Sequence, residues 1–209
     1  MKLAVAAAVL LAASNAHAGS GAIAVPPMEV DVGAGSPIGG AALAGPSTEV
    51  LAGIHWASLY WHPTKVDIGI GYVGSFRAVT PGYAARTSDG ADGTNDNELR
   101  LEGGYLSLGY AIESHHYWRT WVDARIETLH GSVNQTSFAA LGEAVRVSTE
   151  FFAAGAVGGG GSGGGVLCAG TFALGVYVEA VHRDIPVELG PNGVSAGLSM
   201  RIPFILAAG

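Results

Sequence analysis

Apolar residues recur at every second position through most of this chain. Val66, Ile68 and Ile70, for example, alternate with Asp67 and Gly69. Strict alternation over several residues predicts β-strands with two chemically different faces. Seven segments have the pattern clearly: 49–62, 65–76, 98–111, 117–130, 138–152, 170–182 and 193–206.

The predicted strands are unusually long for a soluble protein. They run for about 10–14 residues, whereas strands average about 5–6 residues, and a strand that crosses a bilayer at a tilt needs about 9–11. Their less apolar faces hold mainly glycine, small residues and single charges. This combination is typical of a narrow barrel with lipid outside and side chains filling the inside. We therefore predict an all-β fold, an antiparallel up-and-down transmembrane β-barrel.

The connections between strands predict the strand number. Segments 62–64 and 113–116 are tight turns, whereas 77–97 is long and polar. Bacterial barrels have short periplasmic turns and long outer loops, so 77–97 is expected outside. An earlier strand must then bring the chain up from the periplasm, and 28–32 is a short candidate. The total becomes eight strands, with both termini periplasmic.

The N-terminus predicts export. Lys2 precedes the apolar run 3–13, and Ala16-His17-Ala18 fits a small-x-small cleavage pattern. This order is typical of a signal peptide, and the run is too short to span a membrane as a helix. The expected organisation is a signal peptide at 1–18, a Gly/Ala/Pro-rich segment at 19–47 that includes 28–32, the β-barrel at 48–206 and a tail at 207–209.

Composition narrows the function classes. Only 13% of residues are charged and 49% are hydrophobic, which excludes a disordered acidic chain. Ten Lys+Arg against 17 Asp+Glu give a net charge of −7, so nucleic acid is not an expected partner. The 33 glycines argue against a helical bundle. The single cysteine, Cys168, has apolar neighbours and is expected to pack without reacting.

Most charges of the predicted strands share the face opposite the apolar residues. We expect twelve of them to form an inward-facing polar ladder: Asp67, Arg100, Glu102, Arg119, Asp123, Arg125, Glu127, Arg146, Glu150, Glu179, Arg183 and Arg201. Six arginines and six carboxylates would balance, and an eight-stranded barrel is just filled by side chains. The ladder is therefore predicted to be a structural, salt-bridged plug; a polar or ion-conducting path is the alternative.

The last predicted strand supplies a family resemblance. Segment 195–204 (SAGLSMRIPF) resembles the C-terminal strand signal of small bacterial outer-membrane β-barrel proteins, although five residues follow Phe204. The resemblance covers about 28–206. It implies location in the outer membrane, contact with outer-membrane lipid and recognition by the barrel-insertion machinery during biogenesis.

Candidate chemistry is sparse. Segment 113–116 (ESHH) holds the residue types of an acyl-transfer site, but neighbours in one turn cannot easily align a nucleophile, a base and an orienting group. The histidines lack metal-ligand spacing, and the acidic loop 89–96 misses the calcium-loop template. We expect no catalytic residue, no metal and no cofactor.

These observations favour a non-catalytic outer-membrane barrel with a structural or surface-interaction role. Three alternatives stay open: a narrow pore or barrel component of an envelope transport complex with a protein partner, an envelope lipid-modifying enzyme, and a secreted soluble β-protein of a coat or matrix.

Overall fold

The computed structural model describes residues 22–38, 44–56, 65–79, 98–114, 118–133, 136–154 and 171–207, nearly all of them in strands. The strands are β1 (Ala22–Pro37), β2 (Ala44–His55), β3 (Val66–Val79), β4 (Glu98–Ser114), β5 (Trp118–Val133), β6 (Thr136–Ala154), β7 (Thr171–Arg183) and β8 (Asn192–Ala207). A short 3-10 helix, Val187–Leu189, lies between β7 and β8. None of the helical residues described here forms a segment long and apolar enough to cross a membrane.

The described strands form one closed barrel in which each pairs with its neighbours in sequence and β1 pairs with β8. All pairings are antiparallel. Following paired residues once around the barrel leads from Ile202 back to Asn192, ten positions away on the same strand. This stagger tilts the strands, as closure of a barrel requires. The predicted eight-stranded up-and-down barrel is confirmed.

The first two strands differ from their predicted bounds. β1 extends over Ala22–Pro37 where only 28–32 was expected, and β2 begins at Ala44, inside the predicted N-terminal segment. Glycine and proline have low strand propensity, but both edges of β1 are paired with β2 and β8. Pairing on both edges in the closed barrel therefore outweighs the low strand propensity of these residues. The predicted signal peptide 1–18 lies outside the described residues. So does most of segment 154–165 (AGAVGGGGSGGG), which is rich in glycine.

The outer face of the barrel has a wide apolar band. Its exposed members include Ile68, Leu108, Ile126 and Val176. On β8 the band runs from Val194 to Ile202; nine residues at a rise of about 3.3 Å and a tilt of about 40° cover about 23 Å. The band is thus close to the height of about 25 Å found on transmembrane barrels.

Glycines make room for large side chains in the lumen. A Cβ on Gly33 would lie 2.3 Å from the Tyr177 hydroxyl, and a Cβ on Gly53 would lie 2.2 Å from the Tyr105 hydroxyl. Both tyrosines are buried. The glycine excess of the sequence therefore has a packing function inside the barrel, at positions where any side chain would collide.

Substitution of Gly53 tests this packing. In Gly53→Ala the new methyl would also lie 2.8 Å from the Ile70 carbonyl oxygen, which belongs to the backbone. Overpacking of this kind costs about 1–3 kcal/mol. The matched control is Gly104→Ala on the outer face, where the nearest atom is 3.6 Å away. We expect urea unfolding to show a lower free energy of unfolding for Gly53→Ala and no such decrease for Gly104→Ala. Equal stability of the two variants would contradict the tight packing around Gly53 in the lumen.

Candidate functional site

The lumen holds a dense set of charged side chains. Among the described residues, eight carboxylates, six guanidinium groups and one histidine face inward: Glu29, Asp31, Glu49, Asp67, Asp123, Glu127, Glu150, Glu179, Arg77, Arg119, Arg125, Arg146, Arg183, Arg201 and His55. All except Asp123 are at least nine-tenths buried. Buried charges of this kind are stable only when they are paired and hydrogen-bonded.

Ten of the twelve residues of the predicted ladder face the lumen: Asp67, Arg119, Asp123, Arg125, Glu127, Arg146, Glu150, Glu179, Arg183 and Arg201. Arg100 and Glu102 were expected there but lie on the outer face, with 54% and 34% of their side chains exposed. The reason is that β4 alternates without a register shift through Gly103 and Gly104. Arg100 and Glu102 therefore share the face of Leu106.

Five inward-facing charged residues were absent from the predicted ladder: Glu29, Asp31, Glu49, His55 and Arg77. The sequence pattern puts Arg77 in the loop 77–97. Glu29 and Asp31 belong to the short candidate strand 28–32, whereas Glu49 and His55 lie in the predicted strand 49–62 but outside the predicted ladder. For β1 the sequence does contain a signal, because Glu29 and Asp31 alternate with Val30 and Val32. This alternation puts the two carboxylates on the face opposite the valines.

One half of the network, here called the upper cluster, consists of Arg125, Glu179, Arg183, Glu127 and Glu49. Arg125 donates to both carboxylate oxygens of Glu179 at 2.7 and 2.8 Å. The Arg183 guanidinium donates to Glu127 at 2.9 Å and to Glu49 at 3.1 Å. Two-pronged bonds between a guanidinium and a carboxylate fix geometry as well as charge, and this cluster links β5 and β7 to β2 across the lumen.

The other half, the lower cluster, is built around Arg201, Glu29, Asp67 and His55. Arg201 donates to Glu29 and, at 3.1 Å, to Asp67. His55 shares a 2.8 Å hydrogen bond from Nδ1 with Asp67 and a 3.1 Å bond from Nε2 with the Tyr105 hydroxyl. The side chains of Glu29, His55 and Asp67 could hold a metal ion by spacing alone, but Arg201 already supplies a cation to both carboxylates.

Arg146 joins the two clusters. Its guanidinium donates to Asp31 and, at 3.0 Å, to Glu179 of the upper cluster, and it lies 3.7 Å from a carboxylate oxygen of Glu29 in the lower cluster. The same group lies 4.0 Å from the ring centroid of Tyr177, a cation–π contact that has more effect when desolvated. The inward charges therefore form an almost continuous network along the lumen.

An apolar cluster fills the lumen above the upper cluster, at the end where β7 connects to β8. Leu99 and Leu101 of β4 belong to it, and the β7–β8 connection adds Ile185 and the fully buried Leu189. Arg77 secures this connection by donating to the backbone carbonyl of Gly190 at 3.0 Å. This apolar cluster and the ion pairs below it together occupy the lumen between the described strands.

Outside the barrel, polar residues begin where the apolar band ends toward the same loop end. This outer collar contains Thr48, Glu98, Arg100, Glu102, Thr128, His130, Glu143, His182, Asp184 and Asn192. Within it, Glu102 accepts from the Tyr72 hydroxyl at 2.8 Å and from Arg100 at 2.6 Å. The collar marks the upper boundary of the apolar surface.

The sequence-predicted turn 113–116 contributes little to this picture. Glu113 is exposed at the end of β4, and 115–116 lie outside the described residues. Comparison of the whole chain with protein-family models and with curated proteins finds no match. The fold and the chemistry of the two barrel faces are therefore the basis for a functional inference.

Proposed function

We propose that the chain is an outer-membrane β-barrel of a bacterial cell envelope, with a closed lumen and a non-catalytic structural or surface-interaction role. The observation behind this proposal is the inverted distribution of polarity. Leu108, Ile126 and Val176 are exposed outside, whereas Arg183, Glu127 and Glu179 are at most 2% exposed inside. A barrel in water would bury apolar residues and expose charges; a barrel in lipid favours the observed order.

The proposal includes outer-membrane lipid as the surrounding partner and the barrel-insertion machinery as a transient one. The long connection 80–97 and the other connections of the loop end would face the cell surface, where a surface interaction would take place. The ion pairs among Arg125, Arg146 and Glu179 would make the barrel a rigid support for these loops.

Fractionation and gel migration test the location. We expect the protein to be recovered with the outer membrane, to require detergent for extraction, and to migrate differently before and after heating, because an ion-paired closed barrel resists unfolding by detergent. Recovery as a freely soluble protein would contradict the proposal and favour the secreted coat or matrix alternative.

Conductance tests the closed lumen. Purified protein in planar bilayers is expected to give no stable channels, since Leu189 and Ile185 fill one end and Arg125, Glu127 and Glu179 pair across the interior. A large pore-forming porin added to the same bilayer serves as the positive control. Reproducible channels from folded protein would contradict the closed lumen and favour the narrow-pore alternative.

A further inference from the structure

A shallow groove crosses the outer face of the barrel obliquely, from β4 to the start of β8. Its lower part lies in the apolar band, where Leu108, Ile126 and Val145 form walls. Ala124 lies between Leu108 and Val145, and Ala180 is the next residue beyond Val145 in the same cross-strand row. These two small side chains leave gaps beside the larger ones, where the strand backbone is close to the surface. The groove is therefore a narrow apolar channel that rises toward the outer collar.

The upper end of the groove is polar and consists of Glu143, His182 and Asn192. These residues are cross-strand neighbours on three successive strands. His182 Nδ1 lies 2.7 Å from Asn192 Oδ1, and because an amide oxygen only accepts, Nδ1 is the donor. In the tautomer with its proton on Nδ1, Nε2 is an acceptor. Glu143 is the cross-strand neighbour of His182.

The position of Glu143 gives this end its chemical preference. Its partner on β5 is Ile126, and Val145 is the next outward residue on β6, so the carboxylate lies at the edge of the apolar band. Among the residues that the structure describes, Glu143 has no ion-pair partner. A carboxylate and an imidazole nitrogen together complement a positively charged group with N–H donors.

We propose that this groove binds one acyl chain of a phospholipid whose head is a primary ammonium group, and that the ammonium donates to Glu143 and His182. The inference rests on the membrane location proposed above. Lipid tails are as apolar as the groove walls, so the chain gains little from entering the groove; selectivity comes from the polar end.

The surrounding charges and hydrogen-bond chemistry distinguish this ligand from other lipids. The collar has four carboxylates, Glu98, Glu102, Glu143 and Asp184, but a single arginine, Arg100, which disfavours an anionic head. A trimethylammonium head has the same positive charge as a primary ammonium but lacks N–H donors, so it cannot make either proposed hydrogen bond.

Native mass spectrometry of the full chain tests the inference. The protein is reconstituted in vesicles with equal amounts of phosphatidylethanolamine and phosphatidylcholine that have identical chains, and the lipid retained on gentle extraction is identified. We expect the ethanolamine lipid to be retained about threefold over the choline lipid, because the two differ in N–H hydrogen bonds, whose net contribution is modest. Ala180→Phe, which fills the groove, should lower retention of both.

Variants at the polar end assign the preference. Glu143→Gln and His182→Leu are each expected to reduce the threefold preference to near equality, so a folding failure in one leaves the other as the test. Glu98→Gln is the matched control, because it removes the same charge from the collar outside the groove, and it should keep the preference.

Two outcomes overturn the inference: equal retention of both lipids by the wild-type protein, or the same loss of preference in Glu98→Gln as in Glu143→Gln. Heat-modifiable migration is measured on every sample. If the protein inserts and is heat-modifiable but shows no lipid preference, only the lipid-binding role of the groove is contradicted. If the protein does not insert into the vesicles, both that role and the proposed membrane location are contradicted.

Discussion

Replacing Arg201 with methionine lowers the free energy of unfolding by about 3–5 kcal/mol and weakens or abolishes heat-modifiable migration. Arg201 donates to both Glu29 and Asp67, and all three side chains are at least nine-tenths buried. Methionine has a similar length but no charge, so both carboxylates lose a buried cation. Urea unfolding of refolded protein in lipid vesicles measures the loss.

Arg100→Met is the matched control for this prediction. Arg100 also pairs with a carboxylate, Glu102, but its side chain is 54% exposed on the outer face. Exposed pairs contribute about 0–1 kcal/mol, so a small change is expected. In Arg201→Met with Glu29→Gln, part of the lost stability should return, because one of the two uncompensated charges is gone. Equal losses for the two arginine variants would mean that the lumen network does not stabilise the barrel.

Leu108→Arg destabilises the protein in vesicles by about 2–4 kcal/mol if the apolar band faces lipid. Leu108 is 58% exposed and lies between Ile112 and the collar residue Glu102 on β4, near the middle of the band. An arginine there would place a charge in the hydrocarbon region. Unfolding by urea in vesicles, together with the yield of inserted protein, measures the effect.

Thr128→Arg is the control because Thr128 is exposed on the neighbouring strand at the upper edge of the band. Charges near the interface cost about 0–1 kcal/mol in a membrane barrel. In a soluble protein, exposed substitutions at both positions would fall within about 0.5 kcal/mol of the wild type. Similar small effects of the two arginines would therefore argue for water around the barrel.

The alternating pattern predicted most of the fold because a half-buried strand imposes a period of two. It identified seven strands directly. The eighth followed from the alternation of short and long connections, which required one more strand at the N-terminus. Glu179, Arg183 and Arg201 were assigned to the lumen by the same pattern, and the structure places them there. The pattern was less informative where both faces have similar chemistry, as in the Gly- and Ala-rich residues of β1.

Arg100 and Glu102 mark another limit of pattern analysis. Along β4 the chemistry of the two faces changes places: below Gly103 the outward residues are apolar, whereas above it the inward residues Leu99 and Leu101 are apolar. The assumption that charged residues point inward is wrong at this point, because the strand extends beyond the apolar band. Uninterrupted backbone pairing, which only the tertiary structure supplies, determines the face.

The sequence by itself determined the class of fold, the strand directions and the face of most charges, since these follow from local alternation and from the lengths of connections. Tertiary structure decided which charges meet. Glu29 and Arg201 become neighbours because β1 pairs with β8 at closure, and Arg146 reaches Asp31 across the lumen. Leu189 likewise enters the lumen only because its connection folds inward. These contacts depend on the stagger of a closed barrel, which no local pattern encodes.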